Sequence, residues 1–78
     1  MRERILKCFE PIIGYIPTED DEFHLLCDRL DLLSVVMNCE KEFNLEQIDC
    51  DTKDEFDFNE VKDFVDWIIE FVDKQNKN

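Results

Sequence analysis

Residues 28–37 read DRLDLLSVVM, and the reading of this run decides the fold. Asp28 has the makings of an N-cap. Its short carboxylate can accept from the free backbone N–H groups of a starting helix, and Asp31, at the third helical position, suits the positive end of the helix dipole. The helix predicted from this cap runs to about Phe43. Leu32, Val35, Val36, Cys39 and Phe43 make one apolar stripe along it. Leu30, Leu33 and Met37 make a second stripe on roughly the opposite side. A helix lying with one face on a core needs only the first. The second is either a docking face for another protein or is packed beneath the preceding segment, 18–27.

On the N-terminal side, Ile5, Leu6, Phe9, Ile12, Ile13 and Ile16 recur at about 100° per residue and predict a helix over 2–16. Pro11 falls on its polar face and should kink or split it, because proline removes a backbone donor. Pro17 stands where a stop is expected. The stretch TEDDEFHLLC, 18–27, reads as mostly loop, with Thr18 and Asp21 spaced to cap a short turn and the acids Glu19 to Glu22 solvated. On the C-terminal side, 44–58 reads as a loop with one short helix, where Thr52 and Glu55 match a capping box. Asp57 or Asn59 should cap a last helix over about 60–74. Val61, Phe64, Val65, Ile68, Phe71 and Val72 are its buried stripe, with Trp67 on the flank, and Asp63, Asp66, Glu70 and Asp73 its wet face. Residues 75–78 should fray. The expectation is therefore one all-α domain over 1–78, a four-helix bundle of three long helices and one short.

Composition bounds the function. The chain has 78 residues, a formal net charge of −12, 44% hydrophobic residues, one Gly and two Pro. That much apolar material favours a packed core, and so few breakers favour helices over a turn-rich β fold. A surface this acidic repels nucleic acid and anionic membranes, so basic proteins or cations are the expected partners. No apolar run approaches the roughly 18 residues that a membrane span needs. The start, MRERILKCFEPII, lacks the form of a signal peptide. The four cysteines, Cys8, Cys27, Cys39 and Cys50, form no CxxC pair and have no metal-site spacing with His24, the only histidine. Reduced thiols in a cytoplasmic protein are the simplest reading. His24 has no identifiable nucleophile partner and the chain has no glycine-rich phosphate loop, so no enzymatic activity is expected.

The order of these features resembles the acyl carrier protein family, an acidic bundle of three long helices and one short. The family's signature is Asp-Ser-Leu at the start of the second helix, followed by an apolar-rich helix that ends in acids and Phe. The corresponding run here is DRLDLLSVVMNCEKEF, 28–43, and the resemblance continues through Ile48 to VKDFVDWI, 61–68. It implies that the carrier-motif positions are Asp28, Arg29 and Leu30. In the family, the serine hydroxyl is esterified to 4′-phosphopantetheine, whose thiol carries acyl groups. Arg29 stands at the serine position, offers no hydroxyl and cannot form that ester, so no prosthetic group is expected. Ser34, the only serine, lies five residues on, about 140° around the helix. A working carrier modified at such an atypical site is one alternative. The resemblance also implies that Leu30, Leu33 and Met37 face a partner protein, with Asp31 and Glu40 among the surrounding acids. That partner is a fatty-acid, polyketide or related acyl-transfer enzyme, or a protein that recognises the domain in another orientation. Most of the negative charge lies elsewhere, with eleven acids in 46–73 against Lys53 and Lys62.

A second alternative is an EF-hand-like, calcium-responsive protein. In DCDTKDEFDFNE, 49–60, Asp49, Asp51, Glu55, Asp57 and Glu60 fall at positions 1, 3, 7, 9 and 12 of a twelve-residue calcium loop. Two departures count against it. Lys53 puts a positive charge at the fifth position, and Asp54 takes the sixth, where the sharp turn calls for glycine. There is no second such loop to pair with it.

Overall fold

A computed structural model describes residues 1–45 and 58–76, the last by its backbone alone. Among these residues the secondary structure is helical: α1 (Arg2–Lys7), α2 (Glu10–Ile13), α3 (Phe23–Leu26), α4 (Arg29–Phe43) and α5 (Val61–Asn76). An isolated antiparallel bridge pairs Glu22 with Glu60. The chain is thus all-α over the described residues, with two long helices and three short ones. The helix and capping box expected within 44–58 fall almost entirely outside them.

The first expected helix is split. α1 ends at Cys8, whose N–H reaches the Ile5 carbonyl while the Phe9 N–H reaches that of Leu6, and α2 restarts with Pro11 in its first turn. There the missing proline N–H costs nothing, since first-turn donors have no intrahelical acceptor. Gly14, at φ +89°, closes α2 in the left-handed conformation that glycine adopts most readily. The split therefore ends the helical stripe early. Ile5 and Phe9 are buried, Leu6, Ile12 and Ile13 are partly so, and Ile16 is exposed rather than in the core.

α4 and α5 follow the sequence pattern closely. Asp28 and Asp31 form a reciprocal capping box: the Asp31 N–H donates to Asp28 Oδ1 at 2.8 Å, and the Asp28 N–H donates to Asp31 Oδ2 at 3.4 Å. Leu32, Val35, Val36 and Cys39 are buried, and Phe43 packs against the core edge. Asn44 ends α4 in a left-handed conformation, φ 52° and ψ 47°. α5 buries Val61, Phe64, Val65, Ile68 and Val72, while Phe71, expected in the same stripe, is only partly buried against the core. It also runs past the expected end: Gln75 stays helical, and its Nε2 donates to the Asn44 carbonyl at 2.8 Å, which ties the last turn of α5 to the end of α4.

An aromatic group joins the elements. Phe64 of α5 meets Phe9, Phe23, Phe58 and Trp67 with ring centroids 5.4 to 5.9 Å apart. Edge-to-face and tilted pairs at such spacings add to the burial of large apolar side chains. Phe23 reaches this cluster because 23–26 is a helical turn and not loop. Phe23, Leu26 and Cys27 share its inner side, at i, i+3 and i+4.

The acidic run before it is a structural seam, not merely a solvated stretch. The Asp21 and Glu19 carbonyls accept from the Val61 and Lys62 N–H groups at 2.9 and 3.0 Å, and the Asn59 carbonyl accepts from the Phe23 N–H at 3.0 Å. The first donors of α5, which its own helix cannot satisfy, are thereby met by a neighbouring segment. Asp63 adds a side-chain acceptor for the Glu60 N–H at 3.1 Å. Arg2 binds Glu19 and also reaches Asp66 at 2.9 Å, so α1, the seam and α5 share one charged contact. The Thr18 N–H closes the expected turn by donating to Asp21 Oδ2 at 2.9 Å.

Candidate functional site

The capping box fixes the rotation of α4, and the rotation separates its two stripes. With Leu32, Val35, Val36 and Cys39 turned into the core, the other side carries Leu30 at 73% exposure, Leu33 at 38% and Met37 at 55%. The segment 18–27 does not cover them. Met37 is unbranched and flexible, and beside the two leucines it makes an adaptable contact for an apolar groove.

The positions of the carrier motif are adjacent at the start of this face. Asp28 is the N-cap, Arg29 the first helical residue and Leu30 the second, and all three are exposed. An arginine at the first turn faces the positive end of the helix dipole, which gives it no stabilisation there. Of the acids expected to assist docking, Asp31 is engaged in the capping box and Glu40 is half-buried. The Glu40 carbonyl accepts from the Leu45 N–H at 2.9 Å and so belongs to the helix end. The acidic contribution of this face is therefore smaller than the sequence suggests.

Two nearby groups bear on modification chemistry. Ser34 Oγ donates to the Leu30 carbonyl at 3.3 Å, one turn back on the exposed side. Cys27, next to the cap, is buried, and its thiol is pushed up to about 11, first by burial and then by Asp31 and Asp28. At neutral pH it is a protonated thiol and a poor nucleophile.

Sequence reasoning missed three features. Leu25, at 74% exposure on α3, is a further exposed apolar side chain. Its position out of register with Phe23, Leu26 and Cys27 is the signal that could have located it. The second is the C-terminal end of α4, which Arg4 clasps: its Nε donates to Glu42 Oε2 at 2.8 Å, an Nη donates to the Glu42 carbonyl at 3.0 Å, and the guanidinium lies 4.5 Å from the Phe43 ring centre. The third is a cleft of about 410 Å³ beside that clasp, lined by Arg4, Lys7, Cys8, Pro11, Asn38, Lys41 and Glu42. The cleft carries three cations against one acid, in a protein of net charge −12.

Of the calcium-loop positions, Asp49, Asp51, Glu55 and Asp57 lie outside the described residues, and Glu60 is exposed at the start of α5. Among the described residues no three His, Cys, Asp or Glu side chains are grouped so as to hold a metal ion. Nor is any described helix long and apolar enough to cross a membrane. No protein family, no curated protein and no solved structure gives a match to the chain.

Proposed function

We propose that the protein is an acyl-carrier-like interaction module. It docks a partner protein through Leu30, Leu33 and Met37 of α4, carries no phosphopantetheine and has no catalytic activity of its own. The observation that carries this reading is the exposure of that stripe on a helix whose opposite side is fully committed to the core. Three such side chains, at about 1.5–3 kcal/mol each when fully buried, are enough to anchor a small interface before association costs are subtracted. The occupant that fits is a protein with an apolar groove and a basic surface around it, because the chain's net charge of −12 steers a basic partner at long range even though few of its acids lie on this face. Arg29 supports the absence of carrier chemistry, since a guanidinium cannot form the phosphodiester that a serine hydroxyl forms.

Two experiments test the two halves of this reading. The protein is incubated with coenzyme A and a broad-specificity phosphopantetheinyl transferase and weighed by mass spectrometry. An unchanged mass is expected, and a phosphopantetheine adduct would overturn the non-carrier half. A photo-crosslinking residue is then placed at Met37 and, separately, at Glu70 on the wet side of α5. A discrete crosslinked partner is expected from Met37 alone and should vanish when Leu33→Asp is added. Equal capture from both positions would refute docking through α4.

A further inference from the structure

Cys8 and Cys39 come together where the α1–α2 elbow meets α4. Both belong to the core cluster, yet they differ in access: Cys8 lines the cationic cleft, at 7% exposure, whereas Cys39 is wholly enclosed. Each thiol is the main influence on how the other ionises. The elbow holds Cys8 in place, with its Sγ donating to the Arg4 carbonyl at 3.3 Å and its carbonyl accepting from Asn38 Nδ2 at 3.2 Å. Asn38 is the residue before Cys39, so the part of α4 that holds the Cys8 backbone also carries the second thiol.

We propose that Cys8 and Cys39 are an oxidisable dithiol: hydrogen peroxide entering the cleft oxidises Cys8, and Cys39 resolves it to a disulfide that fastens the α1–α2 elbow to α4. This is independent of docking through the other side of α4. The Cys8 thiolate attacks one peroxide oxygen, the O–O bond breaks, and hydroxide leaves to take up a proton as water. Cys8 is then a sulfenic acid. The Cys39 sulfur attacks the Cys8 sulfur, the S–O bond breaks, and the departing hydroxide takes the Cys39 proton. Two thiols lose two electrons in all, and one peroxide becomes two waters. The S–S bond that forms is roughly 2 Å long.

The division of roles follows from the surroundings. The neighbouring Cys39 thiol favours ionisation of Cys8 most, and Arg4 adds to it, while burial and Glu42 oppose; the net direction is downward. Cys8 and deep burial push the Cys39 thiol strongly upward, so it stays protonated until Cys8 has reacted. An accessible thiol at the cleft wall with an enclosed thiol behind it is the arrangement in which a sulfenic acid is captured rather than over-oxidised.

The test uses the full chain with Cys27→Ser, so that tryptic peptide 8–29 holds Cys8 as its only cysteine and peptide 30–41 holds Cys39. The folded protein is treated with hydrogen peroxide, alkylated and mapped by mass spectrometry without reduction. The expected product is 8–29 linked to 30–41, with a mass loss of about 2 Da that dithiothreitol reverses. Cys50→Ser should leave it unchanged. Both thiols alkylated after treatment, Cys8 halted as sulfinic acid, or Cys8 linked instead to the Cys50 peptide would each overturn the proposal.

Discussion

α5 and α4 are of nearly equal length, yet they use their apolar residues differently. α5 is one-sided: its apolar stripe is buried and Asp66, Glu70 and Asp73 are exposed on the other side. α4 sends Leu32, Val35, Val36 and Cys39 to the core and leaves Leu30, Leu33 and Met37 in solvent. Folding accounts for every apolar residue of the first helix and for only about half of those in the second. Exposed single apolar residues are ordinary, but three at helical spacing on one side form a surface that folding alone does not require.

The contrast can be broken most severely in α5. Phe64→Ala removes the ring that touches Phe9, Phe23, Phe58 and Trp67. The expected loss is about 3–5 kcal/mol, most of the stability of a domain this small, and is read as a collapsed thermal transition in circular dichroism. A smaller effect is expected at the start of α4. Asp28→Ala removes the acceptor for the Asp31 N–H and should cost about 1 kcal/mol by denaturant titration, with Asp28→Asn restoring most of it.

The effect at the seam is smaller and depends on pH. Hydrogen bonds from Arg2 hold the Glu19 carboxyl below the usual carboxylate range, and they raise the Arg2 guanidinium in turn. A depressed carboxyl pKa adds stability above its unfolded value, and that stability is lost as pH falls through its folded value. The stability difference between the wild type and Glu19→Gln should therefore be largest near neutrality and shrink on acidification below the carboxylate range. A difference that grows in acid would show that the contact with Arg2 does not form.

Much of this architecture was legible in the sequence because it is local. The Asp28 cap, the end of α4 near Phe43 and the buried stripe of α5 follow from side-chain spacing along single helices. The role of 18–27 was not legible. Its short helix is held by Phe23 entering a cluster built from three other segments, and its carbonyls cap α5 across a separation of some forty residues. Backbone acceptors leave no mark in composition, so Glu19 and Asp21 read only as surface charge. Pro11 signalled that the first helix would break, but the early closure at Gly14, which leaves Ile16 exposed, required the backbone to be seen. At the candidate site, the division of α4 into two stripes was legible. The loss of Asp31 to the cap and the clasp of Arg4 on Glu42 and Phe43 were not, because each is a side-chain choice made after folding.

The account rests on the stripe of Leu30, Leu33 and Met37 being free of the core. The most direct test is the thermal unfolding of the Leu33→Asp, Met37→Asp double variant. A midpoint close to wild type, with the same cooperativity, is predicted, since neither side chain belongs to the core or packs against it. An unfolded or molten variant would contradict the account, because it would place the second stripe inside the core and leave α4 with no face to offer a partner.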